Sequence, residues 1–152
     1  LASSLGLMIG MERAWRHKVA SLRTFSMISA GSCLFTIMSV NAIPAGASHY
    51  DITRIAAQIV AGVGFLGGGV IFKTANRIEG ITTAAMIWLT AAIGMSCGFN
   101  QGRTAVWAFL IWYLLNVFSI TLHRLIDLMQ GRKPRGYVPV SAEARQAARD
   151  NS

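Results

Sequence analysis

Long apolar segments alternate with short polar ones along this chain. Four of them cover residues 25–43, 52–72, 81–99 and 104–126, and a shorter one covers residues 1–11. A transmembrane helix needs about 20 mainly apolar residues to cross a hydrocarbon layer of about 30 Å. Helices are expected because lipid leaves no water to satisfy the backbone, and no strand-like alternation indicates a barrel. The pattern predicts an all-α, polytopic transmembrane bundle of about five helices.

The first apolar segment is too short to cross a membrane by itself. A signal peptide would carry basic residues before its apolar core and a cleavage site after it. Here the charged residues Glu12 and Arg13 follow the apolar run instead. We therefore expect residues 1–11 to be the second half of a first helix, truncated in this numbering.

Composition and charge place the chain in a membrane and orient it. The sequence is 53% hydrophobic and 13% charged, whereas a soluble domain is about 25% charged. Its basic residues form short clusters rather than one solvated basic face, so nucleic acid is not an expected partner. Of the 14 Lys and Arg residues, only Arg54 and Arg103 lie in the loops of one side, so the other side should be cytoplasmic. We expect an external N-terminus, a transmembrane domain over residues 1–126 and a short basic cytoplasmic tail over 127–152.

The glycine-rich segment 62–69 reads GVGFLGGG and lies inside one apolar run. Its first three glycines match the spacing of the dinucleotide-binding fingerprint. That motif joins a strand to a helix and is followed about 20 residues later by an acidic residue. This segment has neither feature, so we interpret it as part of a membrane helix.

Two interpretations of that helix remain open. Small residues four apart allow close helix packing in lipid, which indicates a tight bundle or a homo-oligomer. Alternatively, the weak helix propensity of glycine breaks the helix within the membrane, where it would line a cavity or an ion path. The four-residue spacing recurs in three pairs: Gly6 with Gly10, Gly64 with Gly68, and Gly94 with Gly98. The candidate pore or packing segment comprises Arg54, Gln58, Gly62, Gly64, Phe65, Gly67, Gly68 and Gly69.

Polar residues near the helix ends are candidate functional residues, because ionisable groups near lipid are costly to keep. The predicted cytoplasmic ends carry one set: Glu12, Arg13, Arg23, Thr24, Glu79, Thr82 and Thr83. One interpretation gathers this set into a polar cluster at the cytoplasmic mouth of the bundle. The other treats such residues as interfacial anchors and helix caps, with Asp51 and Thr82 each near a helix N-terminus. The residues alone support both.

Catalytic and metal-binding patterns are not found in the sequence. It has no nucleophile–base constellation, no carboxylate pair placed for acid–base work and no metal-ligand spacing, so neither an enzyme nor a cofactor is expected. No carboxylate lies in the middle of a predicted helix, which argues against Mg²⁺ transport by midplane carboxylates. Cys33 and Cys97 lie inside apolar segments and are expected to be small buried hydrophobic residues. Trp88 and Trp112 lie deeper in the membrane than the interfacial belt and are expected to be packing residues.

The sequence resembles the MgtC/SapB family of bacterial membrane proteins. The matching segments are GLMIGMERAWR (6–16), SLRT (21–24), RIAAQIVAGVGFLGGGVIF (54–72) and GITTAAMIWLTAAIGM (80–95). The resemblance implies a multi-pass protein of the bacterial inner membrane, tied to magnesium homeostasis and, in pathogens, to survival inside host cells. It also implies contacts with membrane partners, including the ATP synthase. Larger members carry a soluble C-terminal regulatory domain in place of the tail of this chain.

Two hypotheses about function follow. The first is a non-enzymatic regulator that supports growth at low Mg²⁺ through contacts with membrane proteins. The alternative is a transporter or channel for Mg²⁺ or another small solute. In either case Mg²⁺ is a sensed or transported ion rather than a cofactor.

Overall fold

The computed structural model describes residues 1–16, 18, 20–42, 51, 53–74 and 77–130. These residues form five helices: α1 (Ala2–Trp15), α2 (Leu22–Asn41), α3 (Thr53–Gly69), α4 (Ile81–Gly98) and α5 (Gly102–Met129). Two strands, β1 (Phe72–Thr74) and β2 (Arg77–Glu79), lie between α3 and α4. The predicted all-α helical fold is confirmed. In the described part of the chain, α2, α4 and the Gly102–Ile126 part of α5 are long and apolar enough to cross a membrane.

The connection from α3 to α4 differs from the prediction. Helix α3 ends at Gly69 rather than at residue 72, because consecutive glycines have weak helix propensity. Phe72 instead pairs with Glu79 in an antiparallel hairpin. Gly80 then adopts a φ of 90°, and a Cβ at this position would lie 1.8 Å from the carbonyl oxygen of Val70. Only glycine fits this turn, which places the start of α4 directly after the hairpin.

Helix α2 packs antiparallel against α1. A Cβ added to Gly6 would lie 2.6 Å from the carbonyl oxygen of Phe25, and one added to Gly10 would lie 2.6 Å from the Cα of Leu22. Ser29 Oγ donates a hydrogen bond of 2.8 Å to the carbonyl oxygen of Ala2. Residues later in α1 therefore contact residues earlier in α2, as expected for antiparallel helices.

Helix α2 also packs parallel to α4. A Cβ on Gly94 would lie 2.2 Å from the carbonyl oxygen of Ser29, and one on Gly98 would lie 2.5 Å from Thr36 Cβ. Glycine is needed at these positions because the two backbones are in direct contact. Helix α2 is therefore the central element, held between α1 and α4 by two glycine pairs.

The two faces of α2 reverse the pattern of a soluble helix. Its buried face carries Ser29, Ser32, Thr36 and Ser39, while its exposed face carries Met27, Leu34, Phe35, Ile37 and Met38. Burying hydroxyls and exposing large apolar side chains would be unfavourable in water but suits lipid. Thr36 Oγ1 donates to the carbonyl oxygen of Ser32 at 2.8 Å, so the helix backbone satisfies this hydroxyl. The packing thus supports the membrane environment independently of composition.

The chain divides into two compact units, residues Leu1–Trp112 and Tyr113–Ser152. The core of the first includes Ile9, Phe25, Ile87 and Ile93, all nearly inaccessible. Trp112 is buried, which agrees with a packing role, whereas Trp88 is 53% exposed and does not pack inside this unit. Trp88 lies on the outward face of α4, where lipid can solvate its ring.

The described part of the second unit continues α5. Large apolar side chains, including Leu114, Leu115, Phe118 and Leu125, are exposed along it. The helix reaches Met129, three residues beyond the predicted end of the transmembrane domain at residue 126. Residues 131–152 lie outside the described residues, so the basic cytoplasmic tail stays a prediction.

Candidate functional site

Four helix ends meet at the same side of the first unit. Helix α1 ends where α2 begins, because Gly10 contacts Leu22. The hairpin joins the end of α3 to the start of α4, where Gly67 packs against Ala84. Helices α2 and α4 run parallel, so these four ends share one side of the bundle. This arrangement brings the predicted polar set to one side: Glu12, Arg13, Arg23, Thr24, Glu79, Thr82 and Thr83.

The end of α1 on this side carries an ion-pair cluster of Glu12, Arg13 and Arg16. Arg13 Nη2 donates to Glu12 Oε1 at 2.6 Å, and Arg13 Nε donates to Glu12 Oε2. Arg16 Nε lies 2.6 Å from Glu12 Oε1. Arg13 is only 3% exposed, because it continues the buried stripe of α1 formed by Ile9 and Gly10. A buried guanidinium needs a fully engaged carboxylate, and Glu12 meets this need with both oxygens.

The remaining predicted residues of this side divide by exposure. Thr83 is buried and Glu79 is half-buried. Arg23, Thr24 and Thr82 are exposed, and so are available to headgroups or partners. The interpretation of Thr82 as a helix cap is wrong: Gly80 is the N-cap of α4 and supplies no side-chain cap bond.

The opposite side holds a polar turn at the start of α3. Asp51 Oδ1 accepts hydrogen bonds from the Thr53 backbone N–H at 2.9 Å and from Thr53 Oγ1 at 2.5 Å. These bonds, with a smaller contribution from the nearby Arg54 charge, lower the pKa of the Asp51 carboxyl. Asp51 therefore caps this helix start, as one of the two interpretations expected. Arg54 and Gln58 follow on the exposed surface of α3.

The glycine-rich segment is an unbroken part of α3, so the interpretation as a mid-membrane break is wrong. Ile59, Val63 and Gly67 form the buried stripe, with a Cβ on Gly67 lying 3.6 Å from Ala84 Cβ. At four other positions, a Cβ would meet no atom within 4 Å: Gly62, Gly64, Gly68 and Gly69. Phe65 is 83% exposed beside them. We call these five residues the open face of α3.

The open face contrasts with the other glycine pairs. The glycine pairs of α1 and α4 pack directly against α2, so a Cβ added to any of these four glycines would lie less than 3 Å from an atom of α2. The Gly64–Gly68 pair has the same spacing but lies against no other described part of the chain. A close-packing surface is thus present on α3 and unused within this chain.

Sequence reasoning missed two features of the site. Arg16 was not included in the predicted polar set, although Glu12 lies four residues before it on α1, a favourable spacing and order for a helix ion pair. The hydroxyl stripe of α2 was also missed. Its spacing at residues 29, 32, 36 and 39 is that of one helix face, and this was the available signal.

The fold and its inverted burial define a class: an α-helical membrane protein with a central polar-faced helix. Within this class the chain belongs to the MgtC family, which it matches over residues 1–125. It is 38% identical to the protein MgtC of Salmonella paratyphi A over 143 residues, covering 94% of this chain and 56% of that protein. It is 46% identical to the protein MgtC of Brucella abortus over 129 residues, covering 85% of this chain and 52% of that protein.

The chain spans about half the length of these curated relatives. A Synechocystis protein described as uncharacterised is 40% identical over 129 residues, covering 84% of this chain and 53% of that protein. No solved structure matches the chain.

Proposed function

We propose that this chain is a multi-pass protein of the bacterial inner membrane that supports growth at low Mg²⁺ as a non-enzymatic regulator. It acts by binding another membrane protein. Membership of the MgtC family supports the link to Mg²⁺, which the resemblance implies for family members. The ATP synthase is the partner class that the resemblance implies, and a second copy of the chain is the other candidate.

The open face of α3 carries this proposal. Glycine weakens a helix by about 1 kcal/mol relative to alanine in each case, so four glycines without packing neighbours are costly within the monomer alone. Close contact with a second transmembrane helix would offset this cost, because small residues let two backbones approach in lipid. Phe65 stands beside the glycines and offers an aromatic anchor for such a helix.

The ion-pair cluster supports a role at the membrane surface. Glu12, Arg13 and Arg16 leave one net positive charge, and Arg23 adds another on the same side. The positive-inside rule assigns this side to the cytoplasm.

Leucine substitutions on the open face test the proposal. Gly64→Leu and Gly68→Leu would place bulky side chains where a partner helix must approach, while leaving intramolecular contacts unchanged. Gly31→Leu is the matched control, because a Cβ on Gly31 of α2 also meets no atom within 4 Å. We expect the α3 variants, at equal membrane levels, to lose growth at low Mg²⁺ and partner co-purification. The Gly31 control should retain both.

The proposal would be abandoned if the Gly64 and Gly68 variants kept both growth and partner co-purification. Loss of both in the Gly31 control as well would show that any added bulk is harmful, and would equally remove the support from the open face.

One observation favours the alternative, a transporter or channel for Mg²⁺ or another small solute. Arg54 and Gln58 place polar groups on the exposed surface of α3, the helix that also carries the open face. In an oligomer these groups would face a neighbouring subunit and could line a path. However, helical hydrogen bonds engage the backbone carbonyls of residues 62–65, and the carbonyls of Gly67 and Gly68 accept bonds from the Val70 and Ile71 N–H groups, so most carbonyls of the glycine segment are already engaged.

A further inference from the structure

Helices α2 and α4 come into backbone contact next to two cysteines. A Cβ placed on Gly98 would lie 2.7 Å from the carbonyl oxygen of Cys33 and 2.5 Å from Thr36 Cβ. Cys97 precedes Gly98 on α4 and lies three residues after Gly94, which contacts Ser29 of α2. Since Cys33 follows Ser29 by four residues, both cysteines lie along the same α2–α4 contact.

Both thiols are free and half-buried. They were expected to be small buried hydrophobic residues, but both are partly exposed. The backbone contact between Gly98 and Cys33 holds the two helices close together beside this pair, and a disulfide between Cys33 and Cys97 requires their Cα atoms to lie about 4.4–6.8 Å apart.

We propose that Cys33 and Cys97 form a dithiol site that is oxidised to a disulfide joining α2 to α4. The oxidant is a disulfide, either a small molecule or a thiol oxidase outside the cell. One thiolate attacks the oxidant, forming a mixed disulfide and expelling a thiolate. The second cysteine thiolate then attacks the mixed disulfide, closing the Cys33–Cys97 bond and expelling the second thiolate. Two electrons pass to the oxidant, and the two thiol protons pass to water.

The position of the pair suits this chemistry. Cys97 lies one helical turn before the polar residues Asn100 and Gln101, at the side of the bundle opposite the ion-pair cluster. In the proposed orientation this side faces the periplasm, where disulfides persist. This part of the inference rests on the proposed inner-membrane orientation, whereas the reactivity of the purified protein does not.

The test treats the purified protein in detergent micelles with dithiodipyridine. We expect release of two pyridinethiones per chain, with no retained adduct and a loss of two hydrogen masses by intact mass spectrometry. Peptide mapping should find Cys33 linked to Cys97, and thermal unfolding should shift upward until a reductant is added. The variants Cys33→Ser and Cys97→Ser should each release one pyridinethione, retain one adduct from the oxidant, and keep the helical circular dichroism of the parent.

Three results would overturn the proposal. They are two retained adducts on the parent chain, disulfide-linked dimers in place of the internal bond, or thiols that react only after unfolding in denaturant. A separate measurement addresses orientation, by quenching whole cells with an alkylating agent and mapping the two cysteines. Oxidised thiols would support the outward placement of this side. Reduced thiols in cells, with a disulfide formed readily in micelles, would overturn that placement but not the dithiol site.

Discussion

Replacement by alanine should change the stability of the protein in opposite directions at two glycines, Gly94 of α4 and Gly31 of α2. An added Cβ on Gly94 would lie 2.2 Å from the carbonyl oxygen of Ser29, and 2.9 and 3.0 Å from its carbonyl carbon and Cα. All three are backbone atoms, so no side-chain rotation can relieve the overlap, and the helices must separate. On Gly31 the same Cβ would meet nothing within 4 Å. The comparison is therefore between Gly94, where a neighbouring backbone leaves no room for a Cβ, and Gly31, where a Cβ has free space.

The magnitudes follow from two competing effects. Overpacking typically costs about 1–3 kcal/mol, and a clash with fixed backbone belongs at the upper end of that range. Replacing glycine by alanine within a helix stabilises the helix by about 1 kcal/mol. We therefore expect Gly94→Ala to lower the free energy of unfolding by about 2 kcal/mol, and Gly31→Ala to raise it by up to about 1 kcal/mol.

The assay is unfolding of the purified variants in mixed micelles, titrated with a denaturing detergent and followed by helical circular dichroism. The two variants should differ in unfolding free energy by about 3 kcal/mol. If Gly94→Ala were as stable as Gly31→Ala, the backbone contact between α2 and α4 would be wrong, and with it the central position of α2.

Three further predictions use the same unfolding assay. Glu12→Gln should lower the free energy of unfolding by about 2–3 kcal/mol, because it leaves the buried Arg13 without its counter-charge. Arg16→Ala should lower it by less than about 1 kcal/mol, because the Arg16 side chain is 39% exposed. Equal losses in the two variants would contradict the burial of Arg13. Ser39→Ala should be neutral or stabilising because the Ser39 hydroxyl is buried without a partner in the described part of the chain, while Ser29→Ala should cost about 1 kcal/mol by removing its hydrogen bond. The hydrogen bonds to Asp51 lower its folded-state pKa from 3.8, so the stability that they contribute is present above pH 3.8 and is lost as pH falls through the folded-state pKa. The advantage of the parent over Asp51→Asn in unfolding free energy should therefore shrink at low pH, and a difference that stays constant with pH would refute this role of the cap.

The number and order of the helices could be predicted because lipid imposes one condition on every segment: apolar length. The connection after α3 could not. Each strand of the hairpin has only three residues, too short for a period-two pattern, and its geometry depends on Gly80 meeting the Val70 carbonyl at long range. The end of α3 also differs from the prediction, because consecutive glycines end this helix before its apolar run ends.

The candidate site was predictable in its residues but not in its contacts. Spacing identified three equivalent glycine pairs, yet only tertiary structure shows which of them face a neighbour. The pairs of α1 and α4 are filled by α2, while Gly64 and Gly68 face outward. Likewise, hydropathy places Arg13 at a membrane edge, but its burial depends on which face of α1 meets the rest of the bundle.

We propose that this chain works by contact with other membrane proteins and does not carry Mg²⁺. The decisive experiment reconstitutes the purified protein in liposomes and measures Mg²⁺ entry with an enclosed indicator dye, after insertion and helical content have been verified. We expect Mg²⁺ entry no faster than into empty liposomes. Saturable Mg²⁺ entry that Arg54→Ala abolishes, with folding and insertion intact, would contradict the proposal and establish α3 as part of a transport path.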